Sequence, residues 1–135
     1  MATISTTYCG DLRTKAIHNL SGTELITDAP IDNNGKGEFF SPTDLVATAL
    51  GSCMLTIMGI AARKYNFNID GTTVKTTKIM GINPRRIIEI ILEFNFPNPS
   101  IFSEKDKKII EVSTRICPVA KSIHPDIKQT VMLNF

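Results

Sequence analysis

Two cysteines carry the sharpest chemical signal in this chain. Cys53 lies within SPTDLVATALGSCMLTIMGIAARK, residues 41–64, and Cys117 within RICPVAKSIHP, residues 115–125. Each admits a plain reading, because free cysteine is among the most buried residue types and often behaves as a small hydrophobe. The alternative for Cys53 is redox chemistry, which needs a second thiol, and Cys117 is a candidate for it. Both readings stand on these residues alone. The other groups point to less. Cys9, beside a predicted turn, reads as an incidental thiol. Cys9, Cys53, Cys117, His18 and His124 include no pair at a metal-ligand spacing such as C-x2-C, so no zinc site is expected. His124, in SIHP, reads as a capping or surface residue, with a base near Cys117 as its functional alternative. The GKG at 35–37 lacks the Gly-Lys-Ser/Thr of a phosphate loop and reads as a flexible loop. That loop leads straight into the Cys53 stretch and is a candidate lid over a substrate.

The element that must position Cys53 is a single long helix. Ser41 is a good N-cap, Pro42 suits the first helical position, and Asp44 complements the dipole in the first turn. Arg63 and Lys64 close the other end. Roughly 23 residues at ~1.5 Å each span about 34 Å, enough to cross a small domain. No charge lies between Asp44 and Arg63, so the helix is expected to be covered from more than one side. Gly51 and Gly59 each weaken a helix by about 1 kcal/mol relative to Ala and imply close packing over them. Leu45 to Ala62 is 18 uncharged residues long, the lower limit for a membrane span. Its Ala, Gly, Ser and Thr content, its soluble-type cap and the lack of an aromatic belt at both ends argue for a buried helix instead.

Composition bounds the rest. A chain of 135 residues predicts one domain, 1–135, able to bury a core without disulfides or a structural metal. A hydrophobic fraction of 42% and a charged fraction of 21% are those of an ordinary globular protein. With a net charge of +2 and dispersed basic residues, nucleic acid binding is not expected. Three cysteines and no N-terminal apolar leader predict a reducing, cytoplasmic setting.

In chain order, residues 2–8 alternate as a strand, Cys9-Gly10-Asp11 turns, and Leu12 to His18 returns as a second strand. A turn at Leu20-Ser21-Gly22 leads to a third, Thr23 to Asp28. Residues 29–38 form a loop, and Phe39-Phe40 stands ready as a hydrophobic staple on the helix. Past the helix, Ile69 to Met80 alternates weakly and Gly81-Ile82-Asn83-Pro84 turns into Arg85 to Phe96. In that run Ile88, Ile90, Leu92, Phe94 and Phe96 share one face, with Glu89, Glu93 and Asn95 on the other. Ser103 caps a helix striped with Ile109, Ile110, Val112 and Ile116. Pro118 breaks it and starts a short helix to Ile123, and Gln129 to Phe135 closes the chain as a strand. The order is βββ-α-ββ-αα-β, an α+β domain. A helix apolar on every side with too few elements to wrap it suggests a homodimer in which the two long helices pack together.

The pattern S-P-T-D-L-V-A-T-A-L-G-S-C on a long helix, the strand pair after it and the distal C-P-V-A-K resemble the OsmC/Ohr family of osmotically inducible and organic hydroperoxide resistance proteins. The resemblance spans nearly the whole chain in element order, with the two cysteines 64 positions apart, and is closer to the general OsmC-like branch than to Ohr. It implies an intertwined homodimer with two active sites at its interface, each using a thiol pair to reduce peroxides, with organic hydroperoxides preferred in the Ohr branch. Cys53 is then the peroxidatic thiol and Cys117 the resolving one. A thiolate attacks the O–O bond and becomes a sulfenic acid, which the second thiol closes to a disulfide. An external dithiol restores the protein, and no cofactor is needed. The family's positive group, an arginine on an N-terminal strand that favours the thiolate, corresponds to Arg13. Ohr-type proteins pair that arginine with a glutamate ten positions before the reactive cysteine, where this chain has Thr43. Asp44 is rotated from it by roughly 100° and reads as a dipole partner, while Glu38 in the flanking loop is the alternative holder of Arg13. The resemblance thus implies a cytoplasmic thiol peroxidase of oxidative-stress defence. The alternative is a non-catalytic OsmC-like module that binds a small apolar or thiol-bearing ligand, or senses redox state, in the same pocket.

Overall fold

A computed structural model describes every residue from Met1 to Phe135. Its elements are β1 (Ile4–Gly10), β2 (Arg13–His18), β3 (Glu24–Asp28), α1 (Pro42–Tyr65), β4 (Thr73–Gly81), β5 (Arg86–Asn95), α2 (Glu104–Ile116), α3 (Pro118–Ser122) and β6 (Lys128–Asn134). Short 3-10 turns at Ile31–Asn33 and Pro99–Ile101 add to the expected order. The α+β order read from the sequence is the order found. Contacts gather into two compact units, Met1–Val46 and Ala47–Phe135.

The first unit is an antiparallel meander, β1-β2-β3. Its first turn falls at Asp11 and Leu12 rather than at Cys9-Gly10-Asp11, and both residues have positive φ, 51° and 63°. Cys9 is absorbed as an extra residue, since the register steps from Tyr8↔Thr14 to Gly10↔Arg13. A bulge of this kind twists a ladder locally and moves its turn along the chain. The segment after β3 is closed at its neck: Asp28 donates its N–H to the Phe40 carbonyl at 3.1 Å, and Ala29 donates to Leu12 at 3.1 Å. Ser41 then begins α1 with a reciprocal cap. Its Oγ accepts the Asp44 N–H at 3.0 Å, and its own N–H donates to the Asp44 carboxylate at 2.9 Å.

In the second unit β4 and β5 pair antiparallel while β5 and β6 pair parallel, so β5 is central. Its buried residues include Ile90, Leu92 and Phe94, with Phe96 just beyond, as the alternation predicts. Ile88 is a correction. The register steps from Ile79↔Glu89 to Met80↔Ile87, so Ile88 is the extra residue of a bulge and Ile87 is the buried one. Strand β4 starts at Thr73, later than expected, because Ile69 closes a turn by accepting the Thr72 N–H at 3.0 Å.

Helix α1 sets Ala47, Leu50, Gly51, Met54, Met58 and Ala62 inward, and residues from this stripe share one core with Ile90, Leu92, Phe94, Ile110 and Cys117. The expectation that the helix is buried all round fails for a single chain. Its opposite face, which includes Val46, Thr48, Ser52, Thr56 and Ile60, is exposed. Within the second unit, strand β5 and helix α2 pack on the buried stripe. By length and composition α1 is apolar enough to cross a membrane, and its packed stripe is that of a core helix. Gly51 is a close-approach site, because a Cβ there would meet Thr76 Oγ1 at 3.2 Å and Val74 Cγ1 at 3.3 Å, whereas Gly59 opens on empty space. Helix α2 has the predicted Ser103 cap, reciprocal with Asp106. It buries Ile110, Ser113 and Thr114 and leaves Ile116 exposed, against the predicted stripe. The polar residues turn inward because their hydroxyls bond the helix's own carbonyls, Ser113 to Ile109 at 2.8 Å and Thr114 to Glu111 at 2.7 Å.

Candidate active site

Folding of the second unit brings the two cysteines together. Cys53, on the flank of the buried stripe of α1, is partly exposed, while Cys117 is fully buried at the joint between α2 and α3. Pro118 builds that joint: it ends α2, and its fixed φ starts α3 at the first helical position. Cys117 therefore caps α3, and its sulfur accepts the Ala120 N–H at 3.2 Å. Burial pushes the Cys117 thiol above its ordinary value, against the pull of backbone N–H groups, first that of Ala120. Cys53, packed against the same core, pushes the Cys117 thiol the same way. Both thiols are free. Cys9 is exposed on β1, its sulfur 3.7 Å from the Thr7 carbonyl. His124 is also exposed, its Nδ1 taken by the Asp126 N–H at 3.0 Å. No group of three or more metal-ligating side chains is gathered anywhere in the chain.

The first unit gathers a charge cluster around Arg13. The guanidinium meets Asp28 through both ends of its fork, Nε to Oδ1 at 2.7 Å and Nη2 to Oδ2 at 2.9 Å. Glu38 approaches Nη2 at 3.5 Å, and the Phe39 ring lies 4.8 Å from the guanidinium carbon. Asp28 is almost wholly buried, and its second oxygen also accepts the Glu38 N–H at 3.2 Å. Arg13 holds the Asp28 carboxyl below its ordinary value, against desolvation, and Asp28 raises the guanidinium in turn. Glu38 is thus a holder of Arg13, but the principal one is Asp28, which sequence reasoning missed. Its signal lay in the β2–β3 hairpin, because the register about the 19–22 turn sets Arg13 directly opposite Asp28. Asp44 and Thr43 have other duties. Asp44 completes the Ser41 cap, as its dipole role implied, and the Thr43 hydroxyl lies 3.2 Å from that of Ser41. Phe39 stacks on Arg13 and is 43% exposed, where a staple on α1 was expected.

Two neighbouring thiols, one on a long core helix and one at the kink between two helices of the same α+β fold, define a class of dithiol protein. The chain belongs to the OsmC-like protein family, whose model matches residues 35–132. A crystal structure of a candidate osmotic stress induced and detoxification response protein from Psychrobacter arcticus 273-4 is 54% identical, covers 99% of this chain and 96% of that one, and superposes with a TM-score of 0.94. The fold extends to more distant proteins. An organic hydroperoxide resistance protein OsmC from Legionella pneumophila shares 12% identity over 100% of this chain and 98% of that one, with a TM-score of 0.77. An organic hydroperoxide resistance protein from Elizabethkingia anophelis shares 17% over 99% and 96%, with a TM-score of 0.75. A search of curated protein sequences finds no significant match.

Proposed function

We propose that this protein is a cytoplasmic, cofactor-free thiol peroxidase that reduces organic hydroperoxides, and hydrogen peroxide as a smaller substrate, working as a homodimer. The observation that carries the reading is the neighbourhood of the two thiols: Cys53 packs against the core that holds the buried Cys117 and raises its pKa. The Cys53 thiolate attacks the distal peroxide oxygen, the O–O bond breaks, and the alkoxide leaves as alcohol once protonated. Cys53 becomes a sulfenic acid. Cys117, adjacent and already carrying a proton, condenses with it to a disulfide and releases water. A dithiol reductant returns both sulfurs to thiols. The family resemblance assigns Arg13 as the positive group that favours the thiolate, and within its own unit it is held by Asp28 and Glu38.

One observation favours a second reading, the non-catalytic ligand-binding or redox-sensing module. Arg13 already faces two carboxylates, which leaves it little positive field for a substrate. Stopped-flow oxidation of the reduced protein by cumene hydroperoxide and hydrogen peroxide, with mass spectrometry of the product, separates the two. The peroxidase reading expects fast loss of two hydrogens mapped to a Cys53–Cys117 bridge, faster with the organic peroxide. It expects no turnover in Cys53→Ser and a trapped sulfenic acid in Cys117→Ser. Slow oxidation with no bridge selects the binding module.

A further inference from the structure

We propose that Gln129 is a positioning residue for Cys117: its side-chain amide fixes the short helix α3 so that the Ala120 N–H stays on the Cys117 sulfur while that sulfur closes the bridge. This rests on the Cys53–Cys117 chemistry of the proposed function and adds the residue that holds the second thiol in place.

Strand β6 gives the first indication. Its register sets Gln129 beside Ile90, Val131 beside Leu92 and Leu133 beside Phe94. Ile90, Leu92 and Phe94 are buried, and residues at one register of paired strands share a face. Gln129 therefore occupies the core side of β6, where Val131 and Leu133 pack on the core. A polar side chain is costly there unless it is hydrogen-bonded. Its partner is on α3: Nε2 donates to the Ala120 carbonyl at 3.1 Å.

Helix α3 needs that bond. It has five residues, Pro118–Ser122, too few to be stable alone. From its cap onward the carbonyls are taken in succession. That of Cys117 accepts the Lys121 N–H at 3.2 Å, that of Pro118 the Ser122 hydroxyl at 2.7 Å, and that of Val119 the Ile123 N–H at 3.1 Å. The next, on Ala120, is met from β6 by Gln129. Ala120 also gives its N–H to the Cys117 sulfur at 3.2 Å, so a single residue links the strand to the thiol.

In the closing step the Cys117 thiolate attacks the sulfur of the Cys53 sulfenic acid. The S–S bond forms, the S–O bond breaks, and the departing hydroxide becomes water with the proton that Cys117 gave up. The Ala120 N–H favours the thiolate, whereas burial disfavours it. Fraying of α3 removes the N–H and leaves burial unopposed. The thiolate fraction then falls faster than its nucleophilicity rises, because reactivity follows basicity with a slope of only about 0.4–0.5, and closure slows.

The test compares two variants of the full chain. Gln129→Met keeps an unbranched side chain and loses the donor. Thr130→Val removes a different side-chain bond of β6, that of the Thr130 hydroxyl to Glu89 at 2.6 Å. With Cys9→Ser and Cys53→Ser added, Cys117 is the sole thiol, and its thiolate absorbance is followed against pH. This background also removes Cys53, the titratable group that acts on Cys117. The midpoint is expected to rise in Gln129→Met and to stay in place in Thr130→Val. No rise, or an equal rise in both, overturns the proposal. With all cysteines present, cumene hydroperoxide followed by timed dimedone quenching should show bridge closure about threefold to tenfold slower in Gln129→Met, the effect of one hydrogen bond. Equal closure rates also overturn it. A wild-type protein that forms no sulfenic acid removes the peroxidase reading, while the titration still decides the role of Gln129. Should Gln129→Met fail to fold, amide exchange in the wild type decides: the Ala120 N–H is expected to be protected as strongly as that of Lys121. Exchange of Ala120 at the open-chain rate beside a protected Lys121 overturns the proposal.

Discussion

At the scale of single residues, the chemistry of this chain is divided between one buried thiol and one buried carboxylate, each perturbed by what it touches. Asp28 is held charged by Arg13, so its folded carboxyl titrates below the value it has in the unfolded chain, ~3.9. The sign follows: as pH falls below that value the unfolded chain takes the proton first, and the stability given by the pair is lost as pH drops through the depressed folded value. Above the unfolded value the contribution is complete. Melting curves of wild type and Asp28→Asn between pH 3 and 7 should therefore converge at the acid end, with the variant the less stable at pH 7. A wild-type advantage that persists unchanged to pH 3 would show that the pair does not couple proton binding to folding.

Elements show how much local sequence can specify. Helix α1 has the termini its caps announced, because Ser41, Pro42 and Asp44 act within one turn of each other. Strand β5 shows the limit. Alternation identified it, but its bulge depends on how β4 runs beside it, and that decided Ile87 over Ile88. The β1–β2 turn carries a cost that can be measured. Leu12 has φ 63° and is 45% exposed, so its side chain gains little from packing while its backbone stays in the left-handed region. Its backbone bonds, an N–H to the Tyr8 hydroxyl at 3.2 Å and a carbonyl to Ala29 at 3.1 Å, survive any side-chain change. Leu12→Gly is expected to stabilise the protein by about 0.5–1 kcal/mol, the relief of left-handed strain exceeding the extra entropy of an unfolded glycine. A urea midpoint that falls instead of rising would place the Leu12 side chain in a contact that matters.

For the whole molecule the open question is what covers the outer face of α1. Val46 and Ile60 are 37% and 60% exposed on a helix with no charge between Asp44 and Arg63, and a second copy of the chain is the expected cover. Sedimentation equilibrium at micromolar concentration should give twice the 14.9 kDa chain mass, and Ile60→Glu should shift it toward the monomer. A wild-type monomer would remove the homodimer from the proposal. The sequence by itself determined what is local or periodic: the α+β order, the capped central helix, the α2–α3 break at Pro118, and two cysteines worth watching. Its motif resemblance reached the family and singled out Arg13. Only the tertiary structure decided the pairings, because they join residues far apart in the chain. Cys117 reaches Cys53 through the packing of α2 on the α1 core, Asp28 reaches Arg13 through strand register, and one face of α1 is buried while the other is not. Spacing along a chain carries no distance in space, and a hydrophobic pattern says that a face is to be covered without saying by what.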